Sequence, residues 1–142
     1  MYRDINSNLD AQESLRPAVR TADADGESVD LRGADGAVVV VSVGAITGSV
    51  NATTAFVLEE SDDGTTFTDV ADADIQGEEP TGTAITANTA FQFGYIGDAR
   101  YIRVSSVKGG ETNLAASAMV VRGYLHKAPS DQAGTAPTYT GT

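Results

Sequence analysis

Apolar and polar positions alternate in short runs along most of this chain, and turn residues punctuate the runs. Residues 27–31 alternate, with Val29 and Leu31 on one side. Residues 37–43 form an almost unbroken apolar run between Gly36 and Gly44. A run this short and this rich in β-branched residues predicts a strand covered on both faces. Residues 54–60 predict a second central strand around Phe56, Val57 and Leu58. Ser61-Asp62-Asp63-Gly64 predicts a tight hairpin, because glycine takes a positive φ without steric cost. Residues 65–70 alternate, with Phe67 and Val70 expected inward, and residues 72–87 read as an acidic loop with a short strand at 83–87. Alternation returns in residues 91–95 and 100–107, and 114–124 is the last long strand. Asp25-Gly26, Ala34-Asp35-Gly36, Gly97-Asp98 and Lys108-Gly109-Gly110 are expected to turn the chain. Seven or eight strands at short spacing, with no helices between them, predict an all-β antiparallel sandwich or jelly roll.

The two ends read differently. Residues 1–26 are polar with scattered apolar positions (Ile5, Leu9, Leu15, Val19), and Pro17 interrupts any helical stripe beyond a short turn. They are expected to form an extended N-terminal arm carrying Arg3, Arg16 and Arg20. Residues 27–127 then make the sandwich. Residues 128–142, rich in Pro, Gly, Thr and Ala, are expected to be an extended or disordered tail.

Length and composition narrow the possibilities. A chain of 142 residues is one domain's worth. Valine occurs 14 times and leucine 6 times, which favours strands; Val, Ile, Leu and Phe together make 30 residues, enough for only a thin core. Neighbours in an assembly are expected to supply part of the stability. The absence of cysteine removes disulfides, thiolate metal sites and cysteine nucleophiles. No apolar run approaches the length of a membrane span, and the polar opening residues do not resemble a signal peptide. Between Arg32 and Arg100 there are eleven acids and no base, so this stretch carries the whole net charge of −11. Such a chain repels a phosphate backbone, so neither nucleic acid nor a membrane is expected as partner. The acidic stretch reads as a solvated face.

Little in the sequence points to catalysis. The one histidine, His126, sits beside Lys127 at the end of the last strand, without a Gly-x-Ser-x-Gly elbow or a triad around it. Zinc is disfavoured by the same poverty of ligands. Calcium has two candidate clusters: Asp23, Asp25 and Asp30, and Asp62, Asp63, Asp69, Asp72 and Asp74. The first lacks the remaining ligands of an EF-hand loop, and Asp-Gly pairs are ordinary turn chemistry. Glu59-Glu60, Asp62-Asp63 and Glu78-Glu79 are adjacent pairs, and neighbours on a strand point to opposite faces rather than at one glycosidic bond. No phosphate-binding glycine loop is present, and no cofactor is expected. A carbohydrate-binding module would need exposed aromatics. There is no Trp; Tyr95 and Tyr101 are expected to be partly core, and Tyr2 and Tyr139 lie near the termini.

Residues 56–70, Phe-Val-Leu-Glu-Glu-Ser-Asp-Asp-Gly-Thr-Thr-Phe-Thr-Asp-Val, resemble a hairpin of small virion proteins of tailed bacteriophages. Residues 94–104, Gly-Tyr-Ile-Gly-Asp-Ala-Arg-Tyr-Ile-Arg-Val, resemble a partner segment, and residues 15–18 and 26–31 also fit. The resemblance spans most of 15–127. It implies a capsid decoration (cement) protein on the outside of an HK97-like head, made in the host cytoplasm and carried in the virion. Its implied partners are the major capsid protein and further copies of itself, with a trimer favoured. On that reading the arm residues Arg3, Arg16 and Arg20 lie near acidic capsid groups, and deleting residues 1–20 should weaken binding without unfolding the sandwich. A head–tail joining protein, a tail or fibre domain and a carbohydrate-binding sandwich are the alternatives.

Overall fold

The computed structural model describes residues 4–110 and 112–126. They form two packed antiparallel sheets built from ten strands: β1 (Asp10–Arg20), β2 (Ala24–Asp25), β3 (Val29–Asp30), β4 (Ala34–Thr47), β5 (Ala55–Ser61), β6 (Thr68–Asp69), β7 (Ile75–Gln76), β8 (Thr89–Tyr95), β9 (Tyr101–Val107) and β10 (Asn113–Leu125). The first sheet has the order β1-β10-β4-β8-β7; the second has the order β2-β9-β5-β6, with β3 also paired to β9. The all-β sandwich expected from the alternation is therefore present. Among the described residues, no helix is long and apolar enough to cross a membrane.

The core is the alternate set of side chains from each sheet. Val39, Val41 and Val43 of β4, Phe93 of β8 and Ala118 and Val120 of β10 face Phe56, Leu58, Ile102 and Val104 of the second sheet. The valine run thus obeys strict alternation. Val38 and Val40 are only half-buried, so β4 is covered on one face and not on both as its continuous apolar character suggested.

Residues 10–26 do not form an arm. β1 pairs with β10 along its length, from Asp10 opposite Arg122 to Arg20 opposite Leu114, and β2 pairs with β9. The scattered apolar pattern arises because β1 is an edge strand with two register shifts, and Leu15 is its main buried anchor. Ser14 is buried beside it. Its Oγ accepts the Val104 N–H (2.8 Å) and donates to Glu27 O (2.8 Å), so a hydroxyl of the first sheet fills a rung of the second. Asp10 is equally buried and pairs with Arg122, whose Nη1 also donates to Asp30 O and Arg32 O at 3.1 Å. The sandwich therefore begins at Asp10.

Several expected turns have other roles. Lys108-Gly109-Gly110 does not close a hairpin; it carries the chain from β9 in one sheet to β10 in the other. Ala34-Asp35-Gly36 lies inside β4. Gly26 follows β2 and donates its N–H to Val104 O (2.9 Å); a Cβ there would run into that carbonyl and Ser14, so glycine is required by close approach. The Ser61–Gly64 hairpin is present but wider than a two-residue turn. Asp63 Oδ1 accepts the N–H groups of Thr65 and Thr66, both at 2.9 Å. These bonds, with that from Ser61, hold its carboxyl far below the usual range. Phe67 is not a core residue: its ring lies 4.2 Å from the Arg103 guanidinium, on the outer face of the second sheet. The strand expected at 83–87 is instead a 3-10 turn over Gly82–Ala84, preceded by a bridge from Thr81 to Ala55.

Candidate interaction surface

The two outer faces of the sandwich differ in chemistry. On the second sheet, Arg103 bonds Glu59 (3.1 Å) and lies 3.5 Å from Asp25. Ser105 Oγ bonds both carboxylates, and Asp69 stands opposite Glu59. This is the polar exterior expected of an antiparallel sheet.

The outer face of the first sheet lacks that polarity. The strand registers set its rows. One row runs Ala11, Val121, Val38 and Gly94 across β1, β10, β4 and β8; the next runs Glu13, Met119, Val40 and Gln92. Glu13 is the single ionic side chain in these rows. Met119 is 38% exposed. Leu9, Ile96 and Tyr124 border a shallow groove of about 700 Å³ over the same face. Tyr124 is 82% exposed and has a positive φ of 50°, which breaks the strand alternation and lays its ring against Gly36. The signal lies in the sequence itself: if alternate valines of the 37–43 run fill the core, the others must lie outside.

The sequence-derived candidates separate. Arg16 is exposed on the edge strand β1. Arg20 turns back along the same strand, donates from Nη2 to Arg16 O, and is partly buried, which lowers its pKa. Arg3, Lys127, Tyr2, Tyr139 and the tail at 128–142 lie outside the described residues.

The carboxylates have local partners. Asp30 is engaged bidentately by Arg100 (3.1 and 2.9 Å), which holds its carboxyl below the usual value; Asp23 accepts the Lys108 N–H (2.7 Å). No group of three or more potential metal ligands converges among the described residues. Glu59 and Glu60 diverge as neighbouring strand residues should: Glu59 joins the outer network, while Glu60 accepts the hydroxyl of buried Tyr95 (2.6 Å). Tyr95 also accepts the Ala99 N–H (2.9 Å); burial and the Glu60 bond push its pKa up strongly. His126 Nε2 lies 2.7 Å from Asp35 in an exposed pair without a nucleophile.

Comparison with protein-family models, with curated proteins and with solved structures gives no match.

Proposed function

We propose that this protein is a non-enzymatic structural part of a tailed-phage virion, a decoration protein that binds the outside of the head and reinforces it. The observation that carries this reading is the relation between the two segments resembling small virion proteins. They are neighbours in one structural unit: β5 pairs with β9, with Glu59 opposite Arg103 and Ser61 opposite Tyr101, and the Tyr95 hydroxyl reaches across to Glu60. The resemblance therefore covers a contiguous piece of the fold instead of separate words. The apolar outer face supports the same reading, because an assembly part needs a surface to be covered by its neighbours. Arg16 is an exposed basic contact available to the shell, and Arg20 is folded back along β1 toward the Arg16 carbonyl.

The test is mechanical. Empty heads of the source phage are heated with and without saturating protein, and release of shell protein is followed. A decoration protein raises the temperature at which heads come apart. An unchanged temperature together with no bound protein would overturn the reading, and a glycan screen would then address the carbohydrate alternative.

A further inference from the structure

The outer face of the first sheet has an order that complements itself. Across β1, β10, β4 and β8 one row reads Glu13, Met119, Val40, Gln92: an acceptor, two apolar residues and an amide donor. The adjacent row reads Ala11, Val121, Val38, Gly94, again with two apolar residues between small ones. A two-fold axis lying parallel to the strands, between β10 and β4, exchanges β10 with β4 and β1 with β8. It sets Met119 of one copy over Val40 of the other, and Val121 over Val38. It also brings Glu13 of each copy to Gln92 of the other, where the amide can donate to the carboxylate.

We propose that this face is a self-association surface, and that its occupant is a second copy of the chain related by this axis. Charge argues for a copy of itself. The chain has a net charge of −11, and most surfaces of one copy would repel another. This face holds one carboxylate per copy in its central rows, and the two-fold moves that carboxylate away from its equivalent and onto an amide. Sheets pack aligned and about 10 Å apart in such an arrangement, with small residues at the row ends permitting close approach. An isologous contact closes on itself and does not propagate into fibres.

The area sets the strength. The four strands that the axis pairs, about 4.8 Å apart and some six residues long, give roughly 400 Å² per copy. About 800 Å² in total is below the usual size of a specific interface, so the free pair is weak, with a Kd on the order of 0.1–1 mM. Pairing strengthens where copies are held side by side, as on a shell. The pair is two-fold; a trimer would need another surface.

The chain has no cysteine, which allows a decisive test. Glu13 and Gln92 of one chain are three strand spacings apart, roughly 14 Å, too far for an internal disulfide. Full-length Glu13→Cys and Gln92→Cys are prepared separately, checked for folding by circular dichroism, and exposed to mild oxidant alone and mixed. The mixture should give a covalent heterodimer at least tenfold faster than either variant alone. Equal rates in the single-variant samples would overturn the proposed axis. As an independent measure, sedimentation equilibrium of the wild type should show mass rising with concentration, and Met119→Lys should weaken association at least tenfold at unchanged melting temperature. A wild type that stays monomeric at millimolar concentration would overturn the proposal. Neither failure bears on head binding, which is read separately.

Discussion

At the scale of single residues, the polar groups that hold this sandwich together act across the gap between sheets. Ser14 is the clearest case. Its hydroxyl both accepts from Val104 and donates to Glu27, so Ser14→Ala leaves a buried N–H without a partner. The expected cost is about 1–3 kcal/mol, read as a lower urea midpoint at unchanged m-value. Glu79 is a different case. Its Oε1 accepts the Leu58 N–H (2.6 Å) in a half-buried position, and burial, then Asp69 and Asp72, push its pKa above the ordinary 4.5. A raised folded-state pKa means the fold prefers the protonated acid. Stability is therefore lost as pH rises from 4.5 through the raised value and is level above it. Glu79→Gln keeps the acceptor and removes this loss, so the melting temperature of the variant should gain on the wild type across that window. Parallel pH profiles would contradict the assignment. Asp63 has the opposite sign: its pKa is depressed by the Thr66 and Thr65 N–H groups, and its contribution is present above 3.8 and lost below it. Asp63→Ala should flatten the acid limb of the same profile. The roles of Ser14 and Glu79 were not legible in the sequence, because each depends on a partner far along the chain, whereas Asp63 bonds only within its own turn.

At the scale of elements, strands with a fully apolar or cleanly alternating pattern were legible, and those defined by pairing were not. Residues 54–60, 91–95 and 100–107 match β5, β8 and β9 closely because one face of each is buried and the other is not. β1 has no strand signature in the sequence because Pro17 and two register shifts spoil its alternation, features that also blunt an edge strand against stray pairing. The consequence for truncation is direct. Deleting residues 1–20 removes buried Asp10, Ser14 and Leu15 and should abolish the cooperative thermal transition, whereas deleting residues 1–8 should leave it within a few degrees of wild type. Circular dichroism melts decide this; a folded 1–20 deletion would show that β1 is dispensable. Loss of head binding in the longer deletion thus reports unfolding, and only the shorter one tests a terminal contact. The glycines differ from simple turn residues for a related reason. Gly36, Gly26 and Gly109 accommodate close neighbours, Tyr124, Val104 and Asn51 respectively, which local sequence does not reveal.

At the scale of the whole molecule, the division of the surface into a charged, networked exterior and a nearly uncharged one organises the account. The valine run and the acidic middle stretch were both visible in the sequence, but the separation of faces required the register of β10, β4 and β8. Of the residues expected to make basic contacts, Arg16 is exposed and Arg20 is partly buried and folded back along β1. The central claim is that the protein coats a head. Purified protein should be sedimented with empty mature heads of its source phage across a concentration series, counting copies bound per particle. Saturation at hundreds of copies is the expected result. No binding, or a plateau at about a dozen copies as a ring at one vertex would give, would contradict it.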